Sequence, residues 1–310
     1  MTKLNTFQRT AITTVLATLF LILVGGLVRA AGAGLGCPDW PKCFGTWIPP
    51  TDVADLPAGF DASQFNVVKT WIEYVNRLVG VVIGLLITAT FVLSFRYRRT
   101  KPSIFYSSLA AFILVLIQGW LGGQVVKTEL SEWMITIHMI LALIIVNVLL
   151  YATFKATEEF VKVNISERLG RKIFWITSVI LGLTIVQLVL GTQVREAIDV
   201  IKEASYVPER STWLGQVGDI FLLHRSYSWL LFIAGVYLGY IVWKEKLDGL
   251  IAKLGFGNLV LIVIQILIGI GLEYLDMPPS FQVIHLVGIA LMVCCQFLLL
   301  LSVRMRAESL

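Results

Sequence analysis

The chain has 310 residues, of which 57% are hydrophobic and 15% charged, and its mean hydropathy is +0.82. Soluble domains are about a quarter charged, so this balance excludes an ordinary soluble protein and points to the membrane. The net charge of +5 would suit a nucleic-acid partner, but the basic residues fall in a topological pattern given below, and nucleic acid is excluded as a partner.

Eight stretches are long and apolar enough to cross a bilayer: roughly 10–30, 72–95, 103–126, 133–154, 172–195, 220–243, 251–273 and 281–303. Their lengths suit helices of about 20 residues, and no series of alternating ten-residue strands suggests a barrel. The predicted fold is an all-α integral membrane protein of eight transmembrane helices embedded in lipid. The first span ends in "VRAAGAG" (Val28 to Gly34), which looks like a signal cleavage site. Its apolar run is longer than a usual signal core, and it matches a later segment, so it is read as a retained helix. The next loop, "GAGLGCPDWPKCFGTWIPP", carries Cys37 and Cys43. It falls on the oxidising side of a bacterial-type membrane, where a disulfide fits, and Pro38 and Pro41 favour a bend that brings the two together. Whether such a bond is structural or redox-active stays open at this point.

The second span opens with "TWIEYVNRLVG", which holds Glu73, Asn76 and Arg77. Three later spans open instead with a histidine: "TIHMILAL" with His138, "LLHRSYSW" with His224 and Arg225, and "VIHLVGIAL" with His285. These are the only histidines in the chain. Cys294 and Cys295 follow in the last span and read as small buried apolar residues. Lys3 and Arg9, Arg96 to Lys101, Lys155 to Lys172, Lys244 to Lys253, and Arg304 and Arg306 all lie on one side of an eight-span model. The positive-inside rule puts that side, with both termini, in the cytoplasm. The expected location is a bacterial cytoplasmic membrane, with the histidine ends of the helices toward the outer side.

The chain also repeats itself. Gln118 and Gln265 each precede a histidine, His138 and His285, by 20 residues, and Gly122 and Gly269 precede the same histidines by 16. "GGLVRAAG" (Gly25 to Gly32) resembles "GTQVREAI" (Gly191 to Ile198), and "EYVNR" then lies over "LLHRS". Asn76 stands 62 residues before His138, and His224 stands 61 before His285. Such agreement predicts two pseudo-symmetric four-helix halves, residues 1–160 and 161–310. Asn76 then occupies the place of a fourth histidine.

A polar side chain inside a bundle is expensive and is a functional hypothesis by default. Neutral imidazole is a usual axial ligand of haem iron, and two helices offering one histidine each at the same depth make a cradle for it. Any one of these histidines could simply bond a carbonyl; three at matched depth favour ligation. Zinc fits less well, since no close His or Cys spacing occurs on one helix face. Arg77 and Arg225, directly after ligand positions, have the guanidinium forks that pair with carboxylates such as haem propionates; Arg29 and Arg195 read more simply as interfacial. Glu73 lies three residues before Asn76 on the same helix face. It reads either as a proton acceptor beside a cofactor or as a solvated surface acid.

The paired halves, the "GAGLGCPDWPKC" loop, "EYVNR" opening the second span, and the later "LLHR" and "VIH" together resemble the haem A synthase family across essentially the whole chain. The resemblance implies conversion of haem O to haem A by oxidation of a porphyrin methyl group to a formyl group. It implies a haem b cofactor between His224 and His285, and substrate haem O in the first half. It assigns His138 to the substrate iron, with Glu73 as a further catalytic residue, Arg77 and Arg225 to haem binding, and a disulfide to Cys37 and Cys43; Asn76, at the remaining ligand position, is read from its place as the third catalytic residue. Haem O synthase and the terminal oxidase are partners by family role, while the electron donor, the oxygen source and a homo-oligomeric state stay open. Asn76 departs from the family pattern, which has histidine there. It either opens one iron face, with its amide beside whatever binds, or marks a chain that has lost the activity. The alternative function is a membrane di-haem b electron carrier or quinol oxidoreductase that makes no haem A. A haem carrier with an exchangeable site is a third reading.

Overall fold

The computed structural model describes residues 4–203 and 208–304. Lys3 and Arg306 of the basic clusters lie outside the described residues. Eight long helices make up most of the molecule: α1 (Thr6–Ala30), α2 (Val67–Ser94), α3 (Pro102–Lys127), α4 (Glu132–Thr157), α5 (Glu167–Glu203), α6 (Asp219–Lys244), α7 (Gly249–Tyr274) and α8 (Pro279–Arg304). All eight are long and apolar enough to cross a membrane, and no strand is found among the described residues. The shortest has 25 residues, about 37 Å at 1.5 Å per residue, against about 30 Å of hydrocarbon. Large apolar side chains such as Leu16, Phe20, Val81, Leu85, Ile233 and Trp243 are exposed. On a soluble protein that would be costly; here they meet lipid.

Local chemistry sets the helix starts. Asn5 caps α1 by accepting from the Gln8 N–H (3.0 Å), while the Gln8 side chain accepts from the Asn5 N–H (2.8 Å), a reciprocal capping box. Asn66 caps α2 by accepting from the Lys69 N–H (3.1 Å). Pro102 opens α3 where a missing N–H costs nothing. One boundary differs clearly from expectation. The fifth helix was predicted to end near 195 and continues to Glu203. Hydropathy falls in "REAIDVIKE", but the segment remains helical for another reason. Arg195 pairs with Asp199 (3.0 Å) and Lys202 with Asp199 (3.3 Å) on one face, while Ile198 and Val194 pack with Trp213 and Met277 on another. A single helical turn, Trp213–Gln216, precedes α6.

The helices gather into two compact units that divide between Lys155 and Ala156. In the first unit α2 packs between α1 and α3. Thr14 and Thr90 share a hydrogen bond of 2.8 Å across the α1–α2 seam, so the two helices are in fixed register. The fourth helix, α4, meets α3 through Gln118, whose Nε2 donates to the His138 carbonyl (3.0 Å), and meets α1 through Arg29, whose Nη1 lies 3.6 Å from the Met139 Sδ. In the second unit α5 packs on α6 and α8, and α7 packs on α6 and α8, closing a ring of four. Its core cluster includes Ile173, Ile180, Leu231, Leu238 and Leu299. Below the histidine level lies a buried polar group in which the Gln296 Nε2 donates to Thr184 Oγ1 (3.0 Å) and Asn258 Oδ1 (2.9 Å).

Candidate functional site

In the second unit α6 and α8 stand across the ring from one another, and each presents its histidine inward. The His224 and His285 rings face each other with centroids 6.4 Å apart and planes inclined at 72°. Each ring lies over a glycine of the helix before it. A methyl group on Gly191 would come within 3.2 Å of His224 Cε1, and one on Gly269 within 3.9 Å of His285 Cε1. Gln187, one turn before Gly191, donates to the His224 carbonyl (3.0 Å) and stands 3.4 Å from the ring Nε2. Nδ1 of both rings is buried without a hydrogen-bond partner, although each residue as a whole remains partly accessible. Arg225 pairs with Glu273 (2.8 Å), and its side chain is 53% exposed, so most of its N–H donors stay available. It also lies over the Phe221 ring.

The first unit repeats part of this pattern. His138 lies over Gly122, 3.5 Å from where a Cβ would stand. Gln118, one turn before Gly122, holds the His138 carbonyl, and His138 Nδ1 is also buried and unpartnered. Across the bundle, on α2, stands Asn76, whose Oδ1 is buried without a partner.

Beside Asn76 the structure rules out one of the two readings of Glu73. The residue is 4% exposed, so it is no solvated surface acid. Its carboxylate accepts from the Cys37 N–H (2.9 Å) and from Arg77 Nε (3.1 Å) and Nη2 (2.5 Å). The remaining Arg77 donors go to the Asp39 carbonyl (2.7 Å), the Lys42 carbonyl (2.8 Å) and the Cys37 carbonyl (3.4 Å). A guanidinium has five N–H groups, and all five are used inside the protein. Arg77 therefore clamps the cysteine loop to Glu73, and a propionate would have to displace one of these bonds.

The loop itself is closed by the Cys37–Cys43 disulfide. It packs Cys37, Cys43 and Phe44 against Phe60, Phe65 and Tyr74. Gly36 lets it come down on α2: a Cβ there would stand 2.4 Å from the Lys69 carbonyl oxygen, and Thr70 Oγ1 donates to the Gly36 carbonyl (2.8 Å). Trp40 lies against Gly123, the residue after the glycine under His138. One loop thus reaches both sides of the first-unit site.

The model of the COX15-CtaA family, described as cytochrome oxidase assembly protein, matches residues 8–297. This chain belongs to that family. Among curated relatives, the heme A synthase of Bartonella quintana is 23% identical over 314 residues, covering 90% of this chain and 87% of the relative. The heme A synthase of Shewanella oneidensis is 30% identical over 140 residues, 44% of this chain and 42% of the relative. That of Geobacillus kaustophilus is 32% identical over 131 residues, 42% of this chain and 37% of the relative.

A haem fits the donors present. Its porphyrin supplies four iron ligands, so it asks at most two of the protein. Among the described residues, no three His, Cys, Asp or Glu side chains gather around one point, but two imidazoles do face each other. Two imidazole nitrogens sharing a metal at about 2 Å each stand about 4 Å apart, a spacing within reach of rings whose centres are 6.4 Å apart. Two features escaped the sequence reading. Gln187 could have been found, since it sits four residues before Gly191 as Gln118 sits before Gly122. The clamp made by Arg77 could not, because its partners lie 35 to 40 residues away in an irregular loop.

Proposed function

We propose that this protein is a haem A synthase, an oxidoreductase of the membrane that converts the methyl group of haem O to the formyl group of haem A. The observation that carries the reading is the set of three inward imidazoles, each packed on a glycine with an unpartnered ring nitrogen, in a chain of this family. On this reading the two units are pseudo-symmetric halves with different tasks. His224 and His285 hold a haem b, which relays electrons when bound. His138 holds haem O, the substrate. Arg225, with free donors at the outer end of α6, is placed to pair with a haem propionate.

The methyl would be hydroxylated twice, each step inserting one oxygen atom at the expense of an external two-electron oxidant, and the resulting hydrate would lose water to give the aldehyde. Glu73 is the acid–base candidate beside it. Its carboxylate is fixed by three hydrogen bonds, so it reaches a reacting group without first being oriented. Arg77 positions it and stabilises its negative charge. The loop over both shields the site from water. The positive-inside rule, applied to the basic loops, supports both termini in the cytoplasm and the haem sites toward the outer side.

Expression with a haem O supply, followed by pigment extraction and mass analysis, tests the reading. Haem A should appear with the intact chain and be lost with His138→Ala and Glu73→Gln. Haem b alone, with haem O present and unconverted, would favour an electron carrier instead.

A further inference from the structure

Three places in the chain share one local arrangement, and a fourth, matched in sequence, lacks it. Gly122, Gly191 and Gly269 each lie under an imidazole, with the ring Cε1 3.5, 3.2 and 3.9 Å from where a Cβ would stand. A glutamine sits one turn before each: Gln118, Gln187 and Gln265. Two of these hold the carbonyl of the histidine they face. The fourth place is Gly25, where a Cβ would meet nothing within 4 Å. The residue one turn before it is Leu21 rather than glutamine.

By register, Gly25 corresponds to Gly191 and Asn76 to His224. Thr14 and Thr90 are hydrogen-bonded across α1 and α2. Gly25 lies 11 residues after Thr14, and Asn76 lies 14 before Thr90. In the second unit Ile180 and Leu238 belong to one core cluster. Gly191 lies 11 residues after the first of these, and His224 lies 14 before the second. The same offsets that bring Gly191 under His224 bring Gly25 toward Asn76. Thr14, Thr18, Leu21 and Gly25 follow helical spacing along one face of α1. The imidazole and its glutamine are therefore missing together: a Cβ on Gly25 would meet nothing within 4 Å, and the buried Asn76 Oδ1 has no hydrogen-bond partner.

We infer that the space between Gly25 and Asn76 is a binding site for a small exchangeable ligand of the substrate haem, of the class of water, a diatomic molecule or a small anion. The inference rests on the proposed function. His138 supplies the one protein ligand, and the face toward α2 is left for the exchangeable one. Amide oxygen and nitrogen let Asn76 accept from such a ligand or donate to it. With Leu21 where the other three places carry glutamine, that position offers the ligand no polar side chain in competition with Asn76. The second unit, with both imidazoles present, has no such vacancy.

The test is a cyanide titration of the purified ferric protein carrying its own pigments, followed by absorption and electron paramagnetic resonance. One high-spin haem per chain should convert to low spin on cyanide, while the haem lost in His224→Ala stays low-spin and unresponsive throughout. Asn76→His, alone and with Leu21→Gln, should make the first haem low-spin and abolish the cyanide response. A wild-type protein whose haems are all low-spin and unchanged by cyanide would overturn the inference, and that result needs no variant to fold. If His138→Ala leaves the pigment content unchanged, the proposed function itself fails, which is a separate outcome.

Discussion

The two units use the same imidazole-on-glycine contact and differ in what surrounds it. The second pairs two histidines, and its nearby arginine is half-exposed and bound to one carboxylate. The first has one histidine, an asparagine, and a carboxylate locked to an arginine whose donors are all taken. The second arrangement suits a cofactor held the same way throughout turnover. The first suits a site where something exchanges next to a fixed charged group. The difference also lies in the coverings: the disulfide loop belongs to the first unit alone, and it is bonded to the acid rather than merely lying above it.

The largest effect should come from removing a ligand. Replacing an outer-shell partner of a metal ligand typically costs 10–100-fold. His285→Ala should therefore lower haem A formation by at least about 100-fold and remove the low-spin haem spectrum, leaving the first-unit pigment in place. Next is the clamp. Arg77→Lys keeps the charge but loses the fork, and should reduce conversion by about 10–100-fold, as outer-shell substitutions do, with pigment content preserved. If Arg77 instead held a propionate, bound haem O would fall in parallel, which extraction would show. Opening the loop with paired Cys37→Ser and Cys43→Ser should destabilise the first unit by about 2 kcal/mol, read as earlier thermal loss of its pigment while the second-unit pigment is retained. Smaller still, Gln187→Leu removes one hydrogen bond to the His224 carbonyl, about 1 kcal/mol, and should shift only the haem b spectrum and its midpoint potential.

The smallest effect is a pH dependence in the loop. Asp61 is exposed, and the Ser63 N–H (2.9 Å) holds its carboxyl below the ordinary aspartate range. A depressed carboxylate contributes its stability fully above the unfolded-state value and loses it as pH falls through the folded-state value. Local hydrogen exchange in the turn at Ala62–Gln64 should quicken only under those acidic conditions, with neither haem spectrum changing.

The parts of this account legible in the sequence are those set by local composition or by repetition. Hydropathy located eight helices, because lipid selects side chains residue by residue. The offsets among His138, His224, His285 and Asn76 pointed to matched positions, and the three histidines do each lie over a glycine of the preceding helix. Cys37 and Cys43 are close in sequence, and their bond follows from a short bent loop. The extension of α5 was not legible, since its salt bridges and the packing of Ile198 on Trp213 replace hydropathy as the cause of helix. Nor was the role of Arg77. Its position after Asn76 suggested a haem partner, and only the folded loop shows its five hydrogen bonds to backbone and carboxylate oxygens already in place. Glu73 was ambiguous for the same reason: a carboxylate at a helix start looks solvated until the loop covers it.

The central claim is that the two units hold two different haems. Pigment extraction from purified His138→Ala and His224→Ala proteins, each analysed by mass against the unaltered chain, tests it most directly. The account predicts that His138→Ala loses haem O and haem A and keeps haem b, while His224→Ala loses haem b and keeps haem O. If both substitutions strip the same pigment, the units do not divide substrate from cofactor, and the account is wrong.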